Sequence, residues 1–389
     1  MPTEGFSFEE IARDGDARRA RFVTPRAVVE TPVFMPVGTL ASVKSMTPAE
    51  VEATGARLIL ANTYHLWLRP GPERVAALGG VQGFMAWPHA LLTDSGGFQV
   101  FSMTDRVTIE EEGVTFRSHL DGTRLHLTPE ESMRIQRLLG SDVAMLFDEC
   151  PPGDADRATM EAAVRRTTRW AQRCLDAPAA PGQARFGIVQ GGTDVALRRA
   201  HLDEIAALPV DGLALGGFSV GEPVERMVEV LAEVAPAMPA DRPRYLMGVG
   251  TPFDLLAAIG AGVDLFDCVL PTRNARGGQA LTWQGRVNLR QARHKHDESA
   301  LDPRCECPTC RTFSRAYLHH LVRSKEMLGP RLLTHHNLWF YGALTRAARA
   351  AIEEGRYAAW AERTAARMRE LDELGPPDAD ARPWTPPAE

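Results

Sequence analysis

The sequence predicts an α/β fold, specifically a (β/α)8 or TIM barrel, on three observations. Short apolar runs alternate with helical patterns eight times over about 240 residues. The runs stop at polar or glycine residues, and strand ends are where a barrel of this class places its chemistry. No G-x-G-x-x-G stretch follows the first run, so the main signal for an open dinucleotide-binding sheet is missing.

Taken in order, the first thirty residues alternate without a clear period. Pro32 to Gly38 is the first strand, and Thr47-Pro-Ala-Glu50 then opens a helix with Thr as cap and Pro in the first turn. Arg57 to Asn62 is the second strand and Leu91 to Gly97 the third. Residues 99–128 read as a hairpin insertion, with alternation at Val107 to Ile109 and Val114 to Phe116 and a turn at Asp121-Gly122. Thr128-Pro-Glu-Glu131 caps another helix. Asp142 to Asp148, Arg185 to Gln190, Gly212 to Gly217 and Arg244 to Gly248 are strands four to seven, with helices expected over 155–176, 194–207, 222–235 and 251–259.

The eighth strand lies in Gly262-Val-Asp-Leu-Phe-Asp-Cys-Val-Leu-Pro-Thr-Arg-Asn-Ala-Arg276, an apolar run carrying two aspartates and followed by two arginines. A carboxylate at the end of a buried strand is costly to place. The strand ends together carry Asn62, Asp94, Asp148, Gln190, Gly216-Gly217 and Asp267, a polar set expected to converge on one mouth.

After the eighth strand comes Cys305-Glu-Cys-Pro-Thr-Cys310, and then Thr334-His-His-Asn337. Three thiolates spaced C-x-C-x2-C plus a distal histidine make a closed tetrahedral Cys3His set, the form of structural zinc, with no open position for a catalytic water. The metal is expected to staple this segment onto the barrel. Cys150, Cys174 and Cys268 lack such spacing and read as packed thiols.

Composition sets the remaining bounds. The 389 residues are 44% hydrophobic and 24% charged, as in ordinary globular proteins. No apolar run nears the roughly 20 residues needed to span a bilayer. With no export signal at the N-terminus, six cysteines suggest a reducing cytoplasm rather than a disulfide scaffold. Net charge is −6, yet Arg273 to Arg331 holds 12 Lys/Arg against 5 Asp/Glu. Such a basic stretch on an acidic chain is a candidate phosphate-binding surface.

With these residues in hand, the chain resembles the bacterial tRNA-guanine transglycosylases over nearly its whole length. The blocks that carry the resemblance are Leu92-Thr-Asp-Ser-Gly-Gly-Phe-Gln-Val100, Phe147-Asp-Glu-Cys150, Gly187-Ile-Val-Gln-Gly-Gly192, Leu215-Gly-Gly-Phe-Ser-Val-Gly-Glu222, Tyr245-Leu-Met-Gly-Val-Gly250, Phe266-Asp-Cys-Val-Leu-Pro-Thr-Arg273 and the Cys3His set. The resemblance implies a zinc-bearing barrel enzyme, a pentosyltransferase. It would exchange guanine at the wobble position of G-U-N anticodon tRNAs for a 7-deazaguanine base.

By matching position, Asp267 is expected to be the nucleophile and Asp94 the general acid/base. Phe98 and Met247 would sandwich the base, Asp148, Gln190 and the backbone N–H of Gly217 would read its edge, and the backbone carbonyl near Phe218, with Glu222 behind it, would receive an aminomethyl cation. Arg273 and Arg276 would contact the anticodon. Cys305, Cys307, Cys310 and His336 would hold one Zn2+, with His335 a bystander. Cys150 and Val220 match the bacterial pattern and favour 7-aminomethyl-7-deazaguanine (preQ1) as the incoming base. Thr251 departs from the Lys that many relatives carry.

The resemblance further implies a cytoplasmic homodimer, with Phe313, Tyr317 and His320 on one helical face at the interface. The expected organisation is a barrel over 1–275, a zinc-binding subdomain over 276–340, C-terminal helices over 341–374 and a disordered tail over 375–389. Two rival readings stand beside this one: a base-releasing nucleoside or glycoside hydrolase, and a catalytically silent tRNA-binding subunit. The guanine-reading set opposes the first, and the pair Asp94 and Asp267 opposes the second.

Overall fold

All eight expected strands form and pair in parallel. They are β1 (Val33–Met35), β2 (Leu58–Ala61), β3 (Ala90–Thr93), β4 (Val143–Met145), β5 (Ala184–Val189), β6 (Gly212–Leu215), β7 (Arg244–Leu246) and β8 (Leu265–Asp267). The structure is a computed structural model that describes residues 3–103 and 107–374; the tail expected to be disordered lies outside them. Each strand pairs with its sequence neighbour from β2 round to β8, and β8 pairs with β1. The ring closes where Val37 bridges Leu60, the Leu60 amide donating to Pro36 O at 3.0 Å. The result is a closed barrel.

Side-chain alternation sorts the strands into an inside and an outside. Met35, Leu58, Leu60, Leu92, Met145, Phe186, Ile188, Ala214, Tyr245 and Leu265 pack together within the ring. Phe34, Ile59, Leu91, Leu213, Leu246 and Phe266 face the surrounding helices. A residue two positions beyond an inward one also points inward. Strand ends therefore deliver Asn62, Asp94, Gln190, Gly216, Met247 and Asp267 to the barrel mouth. Asp148 stands three residues after Met145, out of this rhythm, because Leu146 and Phe147 both join the outer core.

The helices start where the sequence says they should. Thr47, Thr128 and Thr251 each accept a backbone N–H three residues on, and Thr47–Glu50 and Thr251–Asp254 form reciprocal capping boxes. The opposite end of the barrel is plugged by a three-stranded sheet of Ser7–Asp14, Ala17–Val23 and Val28–Thr31, which the opening residues did not announce. Phe22 and Val29 enter the barrel interior beside Phe6 and Phe8. Below β8, Asp264 is fully buried and takes Arg18 Nε at 3.0 Å and the Arg244 amide at 2.7 Å.

The expected hairpin strands form and pair antiparallel, Ile109 opposite Val114, but residues 99–103 ahead of them belong to the helix Gly97–Met103, and residues 104–106 lie outside the described residues. The small antiparallel sheet proper has three strands, Thr108–Ile109, Val114–Arg117 and Arg124–Leu127. The division expected after residue 340 falls inside one helix, Leu328–Glu353, which carries His336 in its first half and packs Tyr341 against Phe34 further along.

Candidate active site and metal centre

The polar strand ends do converge. Asn62, Asp94, Asp148, Gln190, Gly216, Gly217, Met247 and Asp267 line one cavity of about 350 Å3, joined by Phe98, Phe218, Cys150 and Val220. Phe98 is 50% exposed at the rim, an unusual setting for a large apolar ring and a suitable one for stacking on a flat ligand.

Two carboxylates in this cavity differ in how they are held. Asp267 accepts the Tyr245 hydroxyl at 2.6 Å and the Gly248 amide at 2.8 Å, both on Oδ1. Its Oδ2 takes no hydrogen bond from the described residues, so one oxygen is anchored and the other is free. Asp94 is buried and accepts the Thr63 amide at 2.8 Å on Oδ1, and the amides of Gln99 (2.8 Å) and Asn62 on Oδ2. Burial outweighs these donors and pushes its carboxyl up to about 6, with the Asp267 charge adding to the rise. Burial raises Asp267 as well.

Gln99 Oε1 is buried without a partner. A half-turn of its amide would let it accept a hydrogen bond from neutral Asp94, so the same neighbour suits both charge states of the carboxyl.

Asp148 sits on the other wall. It accepts Ser95 Oγ at 3.2 Å and Gln190 Nε2 at 2.7 Å, and burial pushes it up to about 6. Gln190 also faces the Cys150 thiol, and its Oε1 has no partner among the described residues. The Cys150 thiol is pushed up to about 12 by burial, then by the Asp148 charge, and is therefore neutral. Glu222 accepts the amides of Ser219 (2.5 Å) and Val220 (3.0 Å), holding the β6 loop folded over the cavity. Gly217 in this loop has φ +66°, a conformation glycine adopts without strain.

Sequence reasoning assigned no role to Tyr245, Ser95 or Gln99, although all three stand within or beside the motif blocks. For Tyr245 the usable signal was parity, since it lies two residues before Met247 on an inward-facing strand.

The metal set assembles as expected. One ligand atom each from Cys305, Cys307, Cys310 and His336 lies within 4.8 Å of the others, and all four residues are buried. His336 Nε2 lies 2.9 Å from Leu281 O, which fixes the ring so that Nδ1 faces Cys310 Sγ at 3.3 Å and Cys307 Sγ at 3.6 Å. Three sulfurs and one imidazole suit Zn2+ and leave no place for water. His335 is outside the set, its ring edge-on to Trp339.

Next to the ligand, Asn337 accepts the Leu281 amide at 2.9 Å and donates to Pro271 O (2.9 Å) and Gln279 O (3.2 Å). It thus ties the metal helix to Leu270–Arg276, the helix that follows Asp267. Arg273 and Arg276 are exposed on that short helix. The interface face is corrected: Phe313 is not on the helix of Tyr317 and His320, because Ser314 caps Arg315–Arg323. The Phe313 ring still stacks on Tyr317 at 5.3 Å, with Tyr317 and His320 exposed.

A family model described as queuine tRNA-ribosyltransferase matches residues 14–370. Curated relatives bear the same description. One from Sorangium cellulosum is 65% identical over 360 residues, covering 92% of this chain and 91% of the relative. One from Novosphingobium aromaticivorans is 55% identical over 361 residues, covering 92% and 96%. One from Thermus thermophilus is 55% identical over 362 residues, covering 93% and 94%.

Proposed function

As a member of the queuine tRNA-ribosyltransferase family, this chain is a tRNA-guanine transglycosylase of queuosine biosynthesis, and we propose that its barrel mouth exchanges the base by double displacement. The carrying observation is the asymmetric setting of Asp267, with Oδ1 anchored by Tyr245 and Gly248 and Oδ2 free. A carboxylate so held attacks C1′ of the wobble nucleotide through Oδ2, forming a covalent ribosyl–enzyme bond as the C1′–N9 bond breaks. Asp94, whose carboxyl is raised to about 6, keeps a protonated fraction near neutral pH that an ordinary aspartate would lack, and that form delivers a proton to the departing guanine. The incoming base then gives its N9 proton to Asp94 and attacks C1′, releasing Asp267. Two inversions retain the anomeric configuration.

Guanine is read by pairing. Its N1–H and amino group donate to Asp148, while its carbonyl accepts from Gln190 and the Gly217 amide, and the ring lies between Phe98 and Met247. Cys150 and Val220 line the same cavity, and their small side chains suit preQ1 as the incoming base. The Phe218 backbone, held by the loop that Glu222 closes, would receive its aminomethyl group. Arg273 and Arg276 hold the anticodon of a G-U-N tRNA, which presents a flipped wobble base. Zn2+ on the Cys3His set would be structural and supplies no step. The exposed pair Tyr317 and His320, with Phe313 alongside, is the proposed face for a second copy of the chain.

The test is incorporation of radiolabelled guanine into a tRNA-Tyr transcript, with a wobble G→A transcript as control. Label should enter the first transcript alone, and Asp267→Asn should abolish the covalent RNA adduct while leaving tRNA binding within about threefold. Guanine released without incorporation would point instead to a hydrolase. An adduct persisting in Asp267→Asn would remove that residue from its role.

A further inference from the structure

Arg198 is a fully buried cation that touches no carboxylate among the described residues. It stands on the helix Val195–Ala206, behind the β5 and β6 ends, and spends its guanidinium on backbone carbonyls. Nε donates to Gly192 O at 2.6 Å, Nη1 to Val189 O at 3.2 Å, and Nη2 to Gly216 O at 2.9 Å and Gly217 O at 3.4 Å. The Phe218 ring covers the guanidinium at 3.8 Å. The approach is close: a Cβ on Gly191 would lie 2.8 Å from Arg198 Cγ. One turn further along the same helix, His201 Nδ1 accepts the Gln190 amide at 2.9 Å. Burying an arginine without an ion-pair partner is costly.

The carbonyls chosen explain the cost. Gly216 O and the Gly217 N–H belong to one planar trans peptide and point in opposite directions. Arg198 grips the carbonyl side, and both glycines line the cavity, so the amide is directed away from the cation, to the side where the Cys150 thiol lines the same cavity. Hydrogen bonds in such a chain polarise one another, and a charged donor at one end strengthens the donor at the other.

We propose that Arg198 is a positioning residue for the exchanged base, acting through the Gly216–Gly217 peptide to orient and polarise the amide that binds the base carbonyl. This rests on the reading of Gly217 as that donor. When the C1′–N9 bond breaks, the electron pair passes to the purine and reaches its carbonyl oxygen, so a polarised donor there stabilises the leaving group more than the ground state. Burial lowers the Arg198 guanidinium only to about 9, so the cation persists at neutral pH.

The experiment compares Arg198→Met and Arg198→Lys with the unaltered full chain, using guanine and 6-thioguanine as exchanging bases. 6-Thioguanine keeps the N1–H and amino group but replaces the carbonyl with a weaker acceptor. In Arg198→Met, the KM for guanine should rise roughly tenfold or more, while the KM for tRNA stays within about twofold. The preference for guanine over 6-thioguanine should collapse. Arg198→Lys, which keeps the charge but reaches fewer carbonyls, should recover part of both effects, and it serves as the test if Arg198→Met does not fold. A folded variant that keeps the guanine preference overturns the proposal, as does a loss shared equally by tRNA and base. Failure of the unaltered chain to exchange guanine would instead overturn the function proposed for the mouth, which separates the two.

Discussion

Asp264 and Asp267 lie three residues apart, in one strand segment, yet do opposite things. Asp264 precedes β8 at the plugged end and meets Arg18, whereas Asp267 ends β8 at the mouth and keeps Oδ2 free. A one-dimensional reading distinguishes them only through position on the strand, and that rule also located Asn62, Asp94, Gln190 and Gly216. It missed partners that depend on three-dimensional approach, such as Gln99 on Asp94 and Ser95 on Asp148.

Asp94 also carries a measurable stability cost. Its carboxyl is raised from 3.8 to about 6, so between those values the native state holds a proton that the unfolded state has lost. Stability contributed by this group is present at acid pH and is lost as pH rises through about 6, to a limit on the order of 2–3 kcal/mol. Asp94→Asn removes the charge, and a turned Gln99 amide can accept its new N–H. The variant should unfold like the wild type at pH 4 and be more stable at pH 7, while losing exchange activity. Urea titrations at several pH values check this, and a stability difference that does not change with pH would refute it.

At the scale of elements, the capped helix starts were readable because a cap is local: Thr, Pro and an acid within four residues suffice. The N-terminal plug was not, because its strands gain their meaning only by pairing with each other and covering the barrel floor. The metal module was half legible. C-x-C-x2-C announced the ligands, but the role of Asn337 as a bracket to Pro271 depends on contacts more than sixty positions away.

The bracket makes a prediction about coupling. Asn337→Ala strands the Leu281 amide and two carbonyls in a buried setting, which costs about 3 kcal/mol. Cys307→Ala should lower zinc content below one per chain and also reduce stability. Both changes loosen the helix bearing Arg273 and Arg276 more than the far wall with Asp148. Affinity for tRNA should therefore fall further than affinity for guanine, measured by filter binding and by base KM. One zinc per chain retained in Cys307→Ala would refute the ligand assignment.

For the whole molecule, charge is divided by task. The chain is acidic at −6, and the segment from Arg273 to Arg331 opposes that balance with an excess of seven positive charges. No helix among the described residues is long and apolar enough to cross a membrane. A basic segment of this kind suits a polyanion, and an acidic remainder would repel RNA from the rest of the surface and favour one docking face. Guanine, in contrast, is neutral, and in the proposed mode it is bound inside the cavity by short hydrogen bonds that salt does not screen.

The two substrates should then respond differently to ionic strength. The logarithm of tRNA affinity should fall linearly with the logarithm of salt concentration, while the KM for guanine stays nearly flat between about 50 and 200 mM. Arg273→Ala and Arg276→Ala should each reduce the salt slope for tRNA by about 0.7–1, one phosphate contact apiece, without changing the base KM. An unchanged slope in both variants would move the anticodon contact off the helix after β8. Because that helix follows directly from the strand bearing Asp267, such a result would also separate the RNA-holding surface from the proposed nucleophile, although Asp267, Arg273 and Arg276 stand within ten residues of each other in the sequence.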